Sequence, residues 1–121
     1  MDRQVTIRTL FKRKRIKDKA YLTWIRELPC LFCGGVSEPH HVPPESEASV
    51  GLKTDDTRAL PFCYRHHQEY HNRGRHTFEQ KYQINYEYLI ERLNKIWRER
   101  NDLIEQERSR IREISQRRDK S

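Results

Sequence analysis

Long apolar runs are missing from this chain. There is no stretch of about 18 apolar residues and no signal-peptide pattern, so a soluble, intracellular, cytoplasmic protein is expected. Hydrophobic residues are scarce overall: they make up 34% of the 121 residues, charged ones make up 36%, and mean hydropathy is −1.12. A large oily core is therefore not expected, and domains this small and polar often need a metal or a disulfide as a staple. Disulfides cannot use every thiol, because the chain has three cysteines. In a reducing compartment, cysteines at metal spacing favour zinc. Internal repeats are also absent, so a mass of 14.9 kDa reads as one domain, or a small domain with an appendage.

Positive charge, by contrast, is abundant and uneven. The formal net charge is +7, and residues 1–30 hold nine Lys/Arg against three Asp/Glu. The excess peaks at Lys12, Arg13, Lys14 and Arg15, with Lys17 and Lys19 close behind. Such a run draws a polyanion, most simply nucleic acid. The bland alternative is a solvated arm that aids solubility.

The apolar pattern divides the chain into a basic arm (1–17), a core domain (18–83) and a long C-terminal helix (84–121). Val5, Ile7 and Thr9 alternate briefly in the arm, as a short strand or a docked segment would. Asp18 is placed to cap a helix over roughly 18–28, with Tyr21, Leu22, Ile25 and Leu28 on one face and Pro29 ending it. Val36 to Val42 is expected to form the first strand of a hairpin. A long loop follows over 43–57, then a short return strand from Ala59 to Phe62, where Pro61 suggests an edge. A helix is predicted from Cys63 to about Arg73, stopped by Gly74, and Phe78 to Tyr82 adds a further turn or more. From about Asn85 a helical stripe runs on and thins after Ile104. Its first half is expected to pack on the core and its second half to protrude or make a coiled-coil contact. Trp24 and Trp97 lie in these stripes and read as packing residues.

Every cysteine and histidine falls between Cys30 and His76. Cys30-x2-Cys33 and Cys63-x2-His66 are two knuckle-type pairs, and together they supply the four thiolate or imidazole donors that tetrahedral zinc takes. His67 could replace His66 as the fourth ligand. Whichever serves, histidines remain for which a structural zinc has no use. His67 and His71 are four apart, so a helix presents both on one face. His40 and His41 are adjacent on a predicted strand and point to opposite sides. One can bind an ion while the other stays free as a base. Neutral imidazole suits Zn2+, Mn2+, Ni2+ and related ions. His76 lies past Gly74 and reads as a solvated residue or a phosphate contact.

The window Pro29-Cys30-x2-Cys33, His40-His41, Pro61-Phe62-Cys63-x2-His66-His67-x3-His71-x2-Gly74 resembles the HNH endonuclease superfamily. The likeness is greatest to its zinc-stapled phage and prophage branch and covers roughly residues 20–83. The resemblance implies an α+β fold: a small ββα-metal core with a structural zinc at Cys30, Cys33, Cys63 and His66, flanked by an N-terminal and a long C-terminal helix. It implies His40, His67 and His71 as ligands of a catalytic divalent ion and His41 as general base. The middle Asn of the family has no match near Asp55-Asp56-Thr57-Arg58, which leaves Asp56 or a backbone carbonyl to orient the base. The implied activity is metal-dependent hydrolysis of DNA phosphodiester bonds, nicking duplex DNA with one ion. Mn2+ or Mg2+ is the expected activator, and Ni2+ or Co2+ would also suit the site. Arg58, Arg65, Arg73 and Arg75, with the arm residues Lys12 to Arg15, are candidate DNA backbone contacts. Family analogy also points to a prophage or mobile-element origin. A monomer, or a weak homodimer through the C-terminal helix, is expected. The rival readings are a non-catalytic zinc-binding nucleic-acid module and a protein-interaction element built on the long helix.

Overall fold

The structure, a computed structural model, describes residues 14–47 and 53–119. Val5, Ile7, Thr9, Lys12 and Arg13 lie outside the described residues. The architecture is α+β. Helix α1 spans Lys19–Glu27, strand β1 Glu38–His41, strand β2 Ala59–Phe62, helix α2 Tyr64–Arg73, helix α3 Arg75–Tyr82 and helix α4 Tyr86–Asp119. Asp18 caps α1 by accepting the Tyr21 N–H at 3.0 Å. No helix among the described residues is long and apolar enough to cross a membrane.

The strands form an antiparallel hairpin in which Pro39 faces Pro61 and His40 faces Leu60. Neither proline has an N–H, so this pair must occupy a non-hydrogen-bonded position, and that choice fixes the register of the hairpin. The Pro61 carbonyl is then free to turn outward, and it accepts the Leu31 N–H at 3.2 Å. The first strand is shorter than the predicted 36–42, because its partner ends at Phe62, opposite Glu38. Val36 is left 92% exposed. The loop before β2 holds short 3-10 turns at Glu45–Glu47 and Asp56–Arg58.

All four residues of β2 are buried, so the hairpin is covered on both faces. On the side of α2 and α3 the cover is aromatic. Phe62 stacks on Phe78 at 5.5 Å and on His40 at 4.6 Å, and Phe32 sits 5.0 Å from Phe62 and 4.7 Å from Tyr82. Buried Tyr21, Trp24 and Ile25 of α1 supply the rest. Gly74, at φ 88° and ψ 158°, ends α2 and starts α3, in a region of backbone space that only glycine enters without strain. Glu69 on α2 accepts from Arg73, Lys81 and the Tyr82 hydroxyl, which ties α2 to α3. Arg58 closes the foot of the hairpin by donating to the Val42 carbonyl at 2.8 Å and to both oxygens of Glu87.

The chain divides into two compact units, one ending at Ile90 and one starting at Glu91, a boundary inside α4. The second unit is a single helical segment with ion pairs such as Lys95–Glu99 and Arg112–Glu105 along its surface. Trp97 is only half-buried there, with the Arg100 guanidinium 5.1 Å from its ring centre. The expectation of a core role therefore holds for Trp24 and not for Trp97.

Candidate functional site

The turn after α1, the hairpin and α2 bring the predicted ligands together as two separate clusters. Cys30, Cys33, Cys63 and His66 form one, and His40, His67 and His71 form the other; within each, the donor atoms lie within 4.8 Å of one another. The choice between His66 and His67 is thereby resolved: His66 belongs with the cysteines and His67 with the histidines.

Local turns build the cysteine cluster. Gly34, at φ 74°, lets its N–H return to the Cys30 carbonyl at 2.9 Å, while the Cys30 N–H reaches the Gly35 carbonyl at 2.9 Å. The Phe32 N–H points at Cys30 Sγ and the His66 N–H at Cys63 Sγ. Burial opposes a thiolate at Cys30, but N–H groups of Phe32, Cys63 and Cys33 outweigh it and bring that thiol below its ordinary pKa. Bond lengths of about 2.3 Å to sulfur and 2.0 Å to nitrogen give a zinc tetrahedron edges of roughly 3.5–3.8 Å. Cys30 Sγ to His66 Nδ1 and Cys33 Sγ to Cys63 Sγ are both 3.6 Å, and Cys63 Sγ to His66 Nδ1 is 3.1 Å. The donor set and its spacing fit a zinc ion.

The histidine cluster fits an ion for a different reason. His40 is buried, and neither ring nitrogen has a hydrogen-bond partner among the described residues. Burial first, then the neighbouring His67, His71 and His41, pushes its pKa down to about 2, so the ring is neutral and keeps a lone pair. An unpaired buried polar group costs about 1–3 kcal/mol, and a bound cation would relieve that cost at one nitrogen. The His67 ring centre lies 4.3 Å from that of His40 and 4.9 Å from that of His71. His71 is exposed, which opens the cluster to solvent.

Glu38 is the residue that sequence reasoning missed. Its Oε1 lies 2.5 Å from His67 Nδ1, which leaves Nε2 as the nitrogen of His67 available to an ion. A carboxylate behind a ligand imidazole orients it and raises its basicity. The available signal was the two-residue step from Glu38 to His40, which puts both on one strand face.

His41 lies on the other side of β1 and belongs to neither cluster. Its Nε2 is 2.9 Å from Asp56 Oδ1. Burial pushes the Asp56 carboxyl up. The Asp18 N–H, the His41 ring and the Arg15 charge together outweigh burial and hold it below its ordinary value. An ionised carboxylate only accepts, so in neutral His41 the proton sits on Nε2 and the lone pair on Nδ1. Asp56 is thus the residue that the fold places against the His41 ring.

The basic residues are distributed unevenly. Arg58 is occupied by Val42 and Glu87, Arg73 by Glu69, and Arg75 by the Pro43 carbonyl at 2.7 Å. Arg65 is exposed beside an open groove of about 610 Å³ that is also lined by Gln68, Asn72 and Lys81. Lys14 is exposed and Arg15 half-buried. His76 is outside both clusters, 3.3 Å from Glu45.

Comparison with known proteins adds a family without a described activity. The chain is 36% identical over 72 residues to the uncharacterized protein YdfU of Escherichia coli (strain K12). The alignment covers 59% of this chain and 20% of that relative, so the chain spans about a fifth of its length. No solved structure matches. The family model DUF968, described as a protein of unknown function, matches residues 8–98, and the chain belongs to that family.

Proposed function

We propose that this protein is a metal-dependent endonuclease that hydrolyses DNA phosphodiester bonds, in the manner of the HNH enzymes its motif resembles. One observation carries the reading. A histidine outside both ligand clusters is held by an ionised aspartate with its lone pair free, one residue from a ligand of the three-histidine cluster. A structural zinc module has no use for that arrangement.

In this reading Cys30, Cys33, Cys63 and His66 hold a zinc staple. His40, His67 and His71 hold a divalent ion, which when bound would stabilise charge at the scissile phosphate and at the departing 3′ oxygen. His41 Nδ1 takes a proton from water, and the water attacks phosphorus. Asp56 keeps the ring in the required tautomer and favours the imidazolium that forms. Imidazole ligands suit Mn2+, Co2+ or Ni2+ better than Mg2+, which prefers oxygen, so Mn2+ is the stronger expected activator. One such centre cuts one strand, so a monomer nicks duplex DNA. Exposed Leu103, Ile111 and Ile114 on α4 would serve a weak homodimer.

The test is relaxation of supercoiled plasmid by protein that retains its zinc, given Mn2+ or Mg2+, beside His41→Ala. Metal-dependent open circle that disappears in the variant is expected. Duplex binding without cleavage under every ion would replace this reading with that of a zinc-binding nucleic-acid module.

A further inference from the structure

We propose that the segment 15–18 is a strap that ties the basic arm into the reaction centre and fixes the seat of His41, coupling a polyanion held by the arm to the orientation of the base. This inference rests on the endonuclease reading above.

The strap is held by its own main-chain groups, which donate to two carboxylates and accept from one amide. The Ile16 N–H donates to Asp55 Oδ1 at 2.8 Å, and the Asp56 N–H donates back to the Ile16 carbonyl at 2.9 Å. The Asp18 N–H donates to Asp56 Oδ2 at 2.8 Å. Downstream, Asp18 is locked as the cap of α1 through the Tyr21 N–H. Asp56 is therefore shared: one oxygen holds the strap and the other holds His41.

A buried carboxylate is stable as an ion only while donors and positive charge offset its desolvation. Here those are the Asp18 amide, the His41 ring and the charge of Arg15, two of them belonging to the strap. Arg15 is half-buried, and its Nε is closed to solvent with no hydrogen-bond partner among the described residues. If the strap is released, Asp56 loses a hydrogen bond and a neighbouring cation together, and the turn at Asp56–Arg58 loses its bond to Ile16. His41 then keeps a partner that is no longer fixed. Lys12, Arg13 and Lys14 immediately precede the strap in the sequence. Phosphate contacts there restrain the strap, and linkage requires the converse: a seated strap favours the contacts.

Asp55→Ala removes the acceptor of the Ile16 N–H without replacing His41, Asp56 or any residue of the two clusters. In the full chain with its zinc, kcat for plasmid nicking should fall about tenfold with KM within about twofold. Asp55→Asn, which keeps an acceptor oxygen, should restore most of the loss. A variant with unchanged kcat and faster amide exchange at Ile16 would overturn the proposal. A second measurement applies even if the variant folds poorly. A non-cleavable phosphorothioate duplex added to the wild-type chain should slow exchange of the Asp56 amide and shift the His41 ring resonances. Both changes should disappear in a K12A/R13A/K14A chain. Neither change in the wild type would refute the strap. Failure of the wild type to cleave with any ion would remove the nuclease reading alone, because the exchange experiment still decides the strap.

Discussion

At the scale of single residues, the histidines are distinguished by what surrounds them. Burial deprives His40 of its proton and of partners, Glu38 orients His67, and Asp56 orients His41. Glu38→Ala should weaken Mn2+ binding at the three-histidine cluster roughly 10–100-fold, the usual cost of losing such a support. Calorimetric titration of the metal-stripped cluster measures this, with zinc content unchanged as the control. Asp56 gives a pH prediction with a definite sign. Its pKa is lower in the folded chain than in the unfolded one, so the unfolded chain binds more protons in that range. The stability it contributes is fully present above its unfolded value of about 3.9 and is lost as pH falls through the lower folded value. The protection factors of the Ile16 and Asp18 amides, which correct for the slower intrinsic exchange in acid, should therefore fall on acidification before those of the α2 amides do. The membership of the two clusters was legible in the sequence because cysteine and histidine are rare and closely spaced in one window. Glu38 was not, since one glutamate among many charges acquires meaning only when the strand register places it behind His67.

At the scale of elements, the punctuation residues were legible. Asp18 caps α1, Pro61 lies in a two-stranded hairpin where every strand is an edge, and Gly74 separates α2 from α3. Gly74→Ala should cost about 1–3 kcal/mol by a denaturant midpoint, since φ 88° with ψ 158° is a glycine conformation. An added Cβ would meet nothing within 4 Å, so the cost should be one of backbone strain alone, and a second glycine-free variant with repacked neighbours should not recover it. The length of β1 was not legible. Alternation suggests how far a strand could run, while its partner decides how far it pairs, and here the pairing stops at Glu38 opposite Phe62. The docking of 15–18 on Asp55 and Asp56 was equally hidden, because it joins residues 38 and 39 positions apart through main-chain amides that carry no sequence signal.

At the scale of the whole molecule, the decisive quantity is charge and where it is held. Several arginines that looked like backbone contacts are engaged within the fold: Arg58 with Glu87, Arg73 with Glu69 and Arg75 with Pro43. If the proposed reading holds, attraction of a polyanion falls to exposed Arg65 and to the basic run that precedes residue 16 in the sequence. Composition shows where the basic residues cluster, but not which of them the fold engages, because an arginine's partner cannot be read from its neighbours in sequence. The consequence is measurable as a salt dependence. Each phosphate neutralised by a Lys or Arg contributes about 0.9 to the slope of log affinity against log salt on duplex DNA. Replacing Lys12, Arg13 and Lys14 by Ala should therefore lower that slope by about 2–3 and weaken binding evenly across sequences. Replacing Arg58 by Ala should instead leave the slope nearly unchanged and reduce stability, because its guanidinium is occupied by Val42 and Glu87. Fluorescence anisotropy with a labelled duplex over a salt series separates the two. A slope that fell equally for Arg58→Ala would return that arginine to the interface and contradict the division between arm and core argued here.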